Sequence, residues 1–375
     1  MTTDPTSIRL RRADAAPTGA PRATPGPVAG GRRRIGAVPL LAGLTIGLVA
    51  ACVVAAGSGA YGIPPGEVFG AIVRKVGLSS STAADALADE VLWEIRFPRV
   101  VLTVLIGAAL GCAGATMQGA FANPLAEPGI VGVSSGAVLG GIAQIVVGFS
   151  PLGSWSLPAA AFVGGLVTVV ALYAASRSNG RTEVVTLILT GVAVNALLGG
   201  VIGLLTYLSE DEELRSLTFW QLGSTSSATW PRVAAVAPFA LAGIVVAVWS
   251  ARGFDLLALG ERSARHLGLR VERFRFRMLI VTAVLTASAV AVSGIIQFVG
   301  LVIPHFVRML AGPAHRLLLP ASALAGALVL VVADLVARTA IAPAEIPLGV
   351  ITALIGSPVF FWQLRRTRAT QGGWA

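Results

Sequence analysis

The chain has 375 residues, of which 55% are hydrophobic and only 12% are charged, and its formal net charge is +10. Its mean hydropathy of +0.81 is higher than a water-soluble chain of this length needs. The composition therefore excludes a set of soluble domains and predicts an all-α polytopic membrane protein. Cys52 and Cys112 both lie in apolar runs, which argues against a disulfide framework and against a CxxC metal site.

The first 34 residues differ in composition from the rest of the chain. Residues 1–34 are rich in Pro, Ala, Thr and Arg and lack apolar periodicity, so we predict a disordered cytoplasmic head. The run from Ile35 to Ala56 has some features of a signal peptide. It is longer than a typical signal core and further apolar runs follow it, which favours an uncleaved first helix. We expect a membrane domain over 35–365 and a cytoplasmic tail over 366–375.

Ten apolar segments approach the length of about 20 residues that crosses a bilayer. The seventh and eighth are the weakest, because polar residues near Gln297 interrupt them, so nine spans remain an alternative. Arginines concentrate in the head, in residues 252–277 and in the tail, and the positive-inside rule then places both termini in the cytoplasm. The ten predicted spans are 36–57, 99–119, 128–149, 157–176, 184–207, 233–250, 278–294, 296–311, 317–337 and 346–364.

The sequence lacks the motifs of an ATP-binding P-loop and of a metal site. Lys75 is the only lysine, and it does not lie in a G-x-x-x-x-G-K-[ST] motif, so the chain has no P-loop of its own. His266, His305 and His315 lack ligand spacing, so we interpret them as interfacial residues and expect no metal site. We predict that the chain is not an enzyme, that it holds no cofactor and no catalytic residue, and that it does not bind nucleic acid.

Charges close to the predicted spans are few. Asp334 and Arg338 are four residues apart, so they share one face of a helix and can form an ion pair. Glu345 precedes Pro347 at the start of the tenth span, where a carboxylate is favoured by the helix dipole and a proline by its fixed backbone dihedral. From the residues alone, the first pair is interpreted as structural and Glu345 as a helix cap.

Small and helix-breaking residues mark two places in the first half of the chain. Gly107, Gly111 and Gly114 lie on nearly one face of the second span, which predicts close packing against another helix. Residues 123–136 contain two prolines and several glycines that prevent a regular helix. This segment is either a plain turn or a gate at the inner mouth of a pathway, since irregular backbone at a membrane must be buried in protein or face water.

The segment 252–277 is the longest inner loop with an ordered pattern. Its leucines precede Gly260, and residues 261–267 end at Gly268, which predicts two short helices with a glycine joint and a glycine stop. A loop of this size rimmed by arginines suits a partner protein. The alternative is a helix that lies on the anionic inner leaflet.

A series of motifs extends from about Arg96 to Arg365. In chain order these are Arg-Phe-Pro-Arg99, Gly-Ala-Ala-Leu110, Met-Gln118, Asn123-Pro-Leu-Ala-Glu-Pro128, Gly-Val-Ser-Ser-Gly-Ala137, Leu-Thr-Gly-Val-Ala193, Trp220-Gln-Leu-Gly-Ser224, Leu259-Gly-Glu with Ala264 and Leu267-Gly268, Gly294 with Phe298-Val-Gly-Leu301, Pro304-His305 with Arg308, Ala333-Asp334 with Arg338, Glu345-Ile-Pro-Leu-Gly349 and Gly356-Ser-Pro-Val-Phe360. On these motifs the chain resembles the FecCD-type permeases, the membrane subunits of iron-siderophore and cobalamin ABC importers.

The resemblance implies a ten-helix permease of a bacterial inner membrane. It works as a dimer with a second copy or a paralogue, with two cytoplasmic ATPase subunits that bind ATP and Mg, and with an extracytoplasmic substrate-binding protein. The implied functional residues are Arg96, Arg99 and Arg338 as exposed charges that dock the binding protein, Gly260, Glu261, Ala264 and Gly268 as ATPase-coupling residues, Asn123 and Leu125 as the inner gate, and Thr190 and Asn195 as pathway lining.

The resemblance defines the type of transporter more closely than the substrate that it transports. A ferric siderophore is the expected cargo by family breadth, with cobalamin and haem as alternatives. A different class is a secondary transporter driven by an ion gradient, which would need intramembrane carboxylates and inverted repeats. The sequence shows no clear repeat, and Asp334, the one carboxylate within a predicted span, has Arg338 beside it. Arg262 departs from the family pattern, because many members carry an acid there.

Overall fold

The computed structural model describes residues 35–78, 86–177 and 183–371. All regular elements within these ranges are helical, as expected for the all-α prediction, and none of the described residues forms a strand. The predicted head, residues 1–34, lies outside the described residues. The last helix continues into the predicted tail and ends at Gln371.

The α-helices of the described residues are α1 (Ala37–Gly57), α2 (Pro65–Lys75), α3 (Ala86–Glu90), α4 (Phe97–Phe121), α5 (Val133–Val147), α6 (Ser156–Ala175), α7 (Val184–Leu208), α8 (Asp211–Gln221), α9 (Trp230–Trp249), α10 (Ala251–Leu257), α11 (Glu261–His266), α12 (Val271–Ser293), α13 (Val299–Ala311), α14 (His315–Thr339) and α15 (Leu348–Gln371). A π-helical stretch joins α3 to α4, and short 3₁₀ turns precede α5 and α6.

Each predicted span coincides with one of these helices. Within the described part of the chain, seven helical segments are long and apolar enough to cross a membrane, and α5, α13 and α15 are shorter apolar helices. Both α5 and α13 are short because an irregular segment precedes each of them. Pro128 and Gly132, with φ 77°, interrupt the chain before α5, and Gly294, with φ 69°, interrupts it before α13.

The break between α12 and α13 decides between nine and ten spans. The carbonyl oxygen of Trp220 lies 1.9 Å from the position that a Cβ atom on Gly294 would occupy, so only glycine fits there. Phe298 also has a positive φ of 66° and lies directly before α13. The two segments are therefore separate helices, and they do not form the single long segment that the alternative with nine spans assumes.

Two amphipathic helices outside the predicted spans were missed by the sequence interpretation. Helix α2 buries Val68 and Ala71, whereas Phe69, Ile72 and Val73 are exposed. Helix α8 contains most of the acidic run at 210–213 and begins with a capping box between Glu210 and Glu213. Both helices are 11 residues long, which is too short to stand out in a search for apolar spans.

The core of the bundle is built on α4, α12 and α14. Their most apolar stretches are 78%, 72% and 61% buried, whereas those of α1 and α7 are only 6% and 11% buried. Close packing on the glycine face of α4 is confirmed. A Cβ on Gly111 would lie 2.2 Å from the carbonyl oxygen of Ser322 in α14, and a Cβ on Gly114 would lie 1.8 Å from that of Gly300 in α13. Backbone therefore contacts backbone at these crossings.

Helices α4 and α14 are antiparallel, which defines the two ends of the bundle. Arg99, near the start of α4, contacts Asp334, near the end of α14. We call this the arginine end. At the opposite end, which we call the α10/α11 end, Phe254 of α10 stacks on His315 at the start of α14. The predicted docking residues lie at the first end, and the predicted coupling and gate residues lie at the second.

Candidate functional site

The arginine end is organised around one buried guanidinium. Arg99 is 8% exposed. Its Nε and Nη2 donate to Oδ1 of Asp334 at 3.1 and 2.9 Å, and its Nη1 and Nη2 donate to the two carboxylate oxygens of Glu345 at 2.8 and 3.0 Å. Thr225 donates its hydroxyl to the same Oδ1 of Asp334 at 2.7 Å. This network joins α4, α14 and the loop before α15.

Two further arginines close the end of α1. Arg96 is 5% exposed and donates to the carbonyl oxygen of Ala56 at 2.7 Å. Arg338 has a side chain that is 7% exposed, and it donates to the carbonyl oxygen of Ser58 at 3.1 Å. The last carbonyl groups of a helix have no partner within the helix, so these guanidinium groups satisfy the end of α1.

These contacts correct two predictions. The expectation that Arg96, Arg99 and Arg338 are exposed charges is wrong, because each side chain is buried and bonded within the chain. The interpretation of Glu345 as a helix cap is also wrong, because its carboxylate faces Arg99. The predicted pair of Asp334 and Arg338 is present, with Oδ2 and Nε 3.5 Å apart. A contact between the arginines and a binding protein stays a prediction.

The charge of Glu345 depends on this network. Glu345 lies in the loop between α14 and α15, and its side chain is 38% exposed. The hydrogen bond from Arg99 is the main reason that the pKa of Glu345 is lowered, and burial opposes this effect only in part. The carboxylate therefore remains charged at neutral pH and contributes to the arrangement of the loop.

The predicted inner gate lies at the α10/α11 end, in the turn after α4. Ala122 has a φ of 47° and ends the helix. The side-chain oxygen of Asn123 accepts the backbone N–H of Leu125 at 2.9 Å, which fixes a tight turn, and Leu125 is 42% exposed. Nearby, burial raises the pKa of Glu127. Asn123 thus shapes the loop, and Leu125 is its exposed apolar tip.

The two predicted pathway residues lie on α7 and have different surroundings. Thr190 is half-buried. Asn195 donates its side-chain N–H to the carbonyl oxygen of Gly129 at 3.1 Å and accepts the hydroxyl of Ser135 at 2.7 Å. Asn195 therefore ties the irregular segment before α5 to α7. The pathway role of Asn195 stays a prediction, because these hydrogen bonds join it to other parts of the same chain.

A polar cavity of about 350 Å³ lies where the two irregular segments approach each other. The hydroxyl of Thr286 faces this region from α12, and it has no hydrogen-bond partner among the described residues although the side chain is 2% exposed. A cavity of this size and polarity has room for ordered water. Its polar lining residues are Glu127, Ser134, Ser135, Gln221, Thr286 and Gln297.

The predicted pair of short helices is present as α10 and α11. Gly260 joins them with a φ of 95°, and Gly268 follows α11 with a φ of 89°. Ala264 is 0% exposed, because it packs inward in the hydrophobic cluster of this region, so it is not itself a surface contact. The sequence interpretation missed Leu259 and Leu267, which are 63% and 59% exposed and flank α11. Their apolar side chains next to the two glycines were the available signal.

Charged contacts hold α11 against the bundle. The carboxylate of Glu261 is shared between two arginines, with Oε1 2.6 Å from Arg275 and Oε2 3.0 Å from Arg265. At the start of α14, Nδ1 of His315 lies 2.9 Å from Oδ1 of Asp255 in α10. The backbone N–H of His315 also donates to this Oδ1 at 2.9 Å, so His315 is a hydrogen-bond partner of Asp255. Among the described residues, no group of three or more His, Cys, Asp and Glu side chains could hold a metal ion.

In the described part of the chain, an all-helical bundle with seven long apolar helices and three shorter ones defines a multi-pass membrane protein. Residues 47–366 match the FecCD transport family, and the chain belongs to that family. It is therefore the permease of an ABC importer, a transport subunit whose ATPase is supplied by separate subunits.

Relatives of known name support the same family. The chain is 42% identical to the hemin transport system permease protein HmuU of Yersinia pestis, over 79% of this chain and 90% of that protein. It is 43% identical to the cobalamin import system permease protein BtuC of Halobacterium salinarum, over 74% of each. A metal-chelate type ABC transporter, solved in an inward-facing conformation, superposes with a TM-score of 0.78 at 32% identity and covers 88% of this chain and 99% of that one.

Proposed function

We propose that this permease imports a preformed metal chelate across a bacterial inner membrane, with both of its termini in the cytoplasm. The observation that carries the proposal is the similar identity, 42% and 43%, to a permease named for hemin and to one named for cobalamin. The ferric siderophore expected from the sequence belongs to the same chemical class. Haem and cobalamin fit as well, and the three cargoes are distinguished by experiment below.

The α10/α11 end supports a contact with ATPase subunits. Leu259 and Leu267 are exposed apolar side chains on either side of α11, while Glu261 and Ala264 hold the helix to the bundle. We propose that α11, between Gly260 and Gly268, inserts into a groove on each ATPase, with the two leucines as apolar anchors. ATP and Mg are then bound by the ATPase and not by this chain.

Helix α7 supports a pathway between two copies of the permease. Its outward face carries apolar side chains such as Val192 and Leu197, and no atom lies within 4 Å of a Cβ built on Gly199, Gly200 or Gly203. A smooth neutral wall of this kind binds a passing chelate weakly, which suits a permease whose binding protein selects the cargo. The second copy is this chain or a paralogue, and the half-buried Thr190 lies on the same helix.

The arginine end is proposed to receive the loaded binding protein. The three arginines lie beneath the surface, so we propose that they fix the shape of the docking site, with Glu345 as its exposed charge. Docking and ATP binding then open the outer and inner mouths in turn, and Asn123 and Leu125 gate the inner mouth.

An uptake experiment tests the proposal and separates the cargoes. The gene is deleted in its host, and uptake of iron-55 haemin, cobalt-57 cyanocobalamin and the iron-55 complex of a hydroxamate siderophore is measured with and without a plasmid copy. Loss of one uptake, restored by the plasmid, identifies the cargo. A transport that persists after ATP depletion but stops when the ion gradient is collapsed would contradict the importer and favour the secondary transporter.

A further inference from the structure

A single buried arginine at the α10/α11 end connects two of the proposed functional elements. Arg275 is the fifth residue of α12, and its side chain is 2% exposed. Its Nη2 donates to Oε1 of Glu261 at 2.6 Å, and its Nε donates to the carbonyl oxygen of Ala120 at 3.4 Å. Glu261 is the first residue of α11, and Ala120 lies in the last turn of α4. One guanidinium group therefore bridges α11 and the end of α4.

The bond to Ala120 fills a gap at the end of α4. The carbonyl groups of Gln118 and Gly119 accept the backbone N–H groups of Asn123 and Ala122, as is usual where a helix ends in a left-handed turn. The carbonyl group of Ala120 is also among the last four of the helix, which have no partner within it. Arg275 supplies that partner through its Nε, in a long contact of 3.4 Å.

The ion pair between Arg275 and Glu261 connects the guanidinium group to α11. A buried guanidinium is costly unless it is paired, and Glu261 is the closer of two carboxylates beside Arg275, since Oε1 of Glu272 lies 4.0 Å from Nη1. The side chain of Glu261 is itself 43% exposed, because it approaches Arg275 from the surface helix. A partner that moves α11 therefore acts directly on the acceptor, while the donor remains sealed in the bundle.

The proposed gate begins immediately beyond this contact. Ala122 makes the left-handed turn two residues after Ala120, and Asn123 and Leu125 follow it. Displacing the carbonyl group of Ala120 changes the direction in which the chain leaves α4. The tip of the loop then moves with it, since Asn123 holds Leu125 by a local hydrogen bond.

We propose that Arg275 is a positioning residue that transmits the movement of α11 to the inner gate loop through Glu261 and Ala120. This inference rests on the proposed function, because it requires ATPase subunits that bind α11. It assigns to an arginine inside the bundle a role in coupling that neither the motif pattern nor surface exposure indicates.

The test follows the gate loop directly and needs no cargo. The complete importer, with its ATPase subunits, is reconstituted in nanodiscs, with Cys52 and Cys112 replaced by alanine and Leu125→Cys as the reporter. The rate of labelling by fluorescein maleimide is measured with and without ATP and vanadate, together with ATP hydrolysis. In this parent protein we expect ATP to change the labelling rate.

Four variants are compared with the parent. R275Q and E261Q break the same contact from opposite sides, R275K keeps the charge, and R273Q is the matched control, because Arg273 is an exposed arginine on the same helix. We expect R275Q and E261Q each to reduce the ATP-dependent change about tenfold, an ordinary size for coupling between two sites, and we expect R275Q to retain ATP hydrolysis. R275K should retain most of the change and R273Q all of it.

The double variant separates transmission from two independent effects. If the two residues act through one contact, R275Q/E261Q is no worse than either single variant. The inference would be overturned if the loss of the ATP-dependent change in the double variant were the product of the two single losses. It would also be overturned if R275Q showed the same ATP-dependent change as R273Q. If R275Q does not fold, E261Q is compared with R273Q in its place. An ATP-dependent change as large in E261Q as in R273Q would then overturn the inference. The proposed function would instead be refuted if the parent protein copurified with no ATPase. It would also be refuted if the labelling rate of the parent were the same with and without ATP.

Discussion

Arg99 and Asp334 lie 235 positions apart in the sequence, and their side chains meet in a buried ion pair with Nη2 and Oδ1 2.9 Å apart. The pair joins the start of α4 to the end of α14, and Glu345 extends it to the loop before α15. The network therefore holds three separate parts of the chain in register at one end of the bundle.

Removing one member of this pair should destabilise the protein. Asp334→Asn leaves the Arg99 guanidinium buried beside a weaker acceptor, and breaking a buried pair costs about 3 to 5 kcal/mol. We expect a lower midpoint in thermal unfolding of the purified protein in detergent. Arg232→Gln is the control, because Arg232 at the same end is only half-buried and donates to the carbonyl oxygen of Ser227 rather than to a carboxylate, so its loss should change the midpoint less. Equal midpoints for the two variants would contradict a stabilising role.

Reversing the charge of all three arginines should prevent folding rather than only docking. Glutamates at Arg96, Arg99 and Arg338 would place new carboxylates next to helix carbonyl groups and next to Asp334 and Glu345. We expect little folded protein in the membrane, as measured by size-exclusion chromatography after extraction. A folded triple variant that fails only in transport would show instead that the arginines contact the binding protein directly.

The ion pair of Glu345 should make stability depend on pH in the acid range. Because the hydrogen bond from Arg99 lowers the pKa of Glu345 in the folded protein, its contribution is present above the ordinary pKa of a glutamate, about 4.3. It is lost as the pH falls through the lower pKa of the folded state. Glu345→Gln should thus unfold at a lower temperature than the parent at pH 7, and the difference should shrink towards pH 3. A difference that is constant with pH would refute this assignment.

The crossing of α4 and α14 should not accept a side chain. A Cβ on Gly111 would overlap the carbonyl oxygen of Ser322, and overpacking of this kind typically costs about 1 to 3 kcal/mol. We expect Gly111→Ala to lower the thermal unfolding midpoint. Gly43→Ala is the matched control, since no atom lies within 4 Å of a Cβ at Gly43 in α1. The same substitution should be neutral or slightly stabilising there.

Gly260 should be needed for coupling through its backbone conformation. Its φ of 95° is unfavourable for other residues, and no neighbouring atom would obstruct a Cβ there. Gly260→Val therefore changes the joint between α10 and α11 without a clash, at a backbone cost of about 1 to 3 kcal/mol. We expect ATP hydrolysis to continue while transport per ATP falls, measured in proteoliposomes. Unchanged coupling would exclude this joint from the mechanism.

Local patterns were predicted well from the sequence. The spacing of Asp334 and Arg338 predicts their ion pair, and the two glycines at 260 and 268 predict the short helices between them. The positions of the apolar helices and the glycine face of α4 also follow from composition over a few turns, although α12 begins at Val271 and not at residue 278, and α15 extends to Gln371. In each case the residues that determine the structure are close together in the chain.

Contacts between distant residues could not be predicted in this way. Nothing near Glu345 in the sequence indicates that it faces Arg99, so the local interpretation as a cap was the natural one and was wrong. The burial of Arg96 depends on the end of α1, about 40 residues away. Arg275 is one of several arginines between 252 and 277, and only the packing of α12 against α4 distinguishes it from the exposed Arg273.

The backbone contact between α4 and α14 also constrains how the importer can move. Helices that interlock through Gly107, Gly111 and Gly326 cannot slide past each other without first separating, so they rotate or tilt as one rigid body. The sparsely buried α7 has no comparable restraint on its outward face. Spin labels placed on α4 and α14 should thus keep a constant distance through a transport cycle, whereas the distance between labels on the α7 helices of two copies should change if the proposed pathway lies between them.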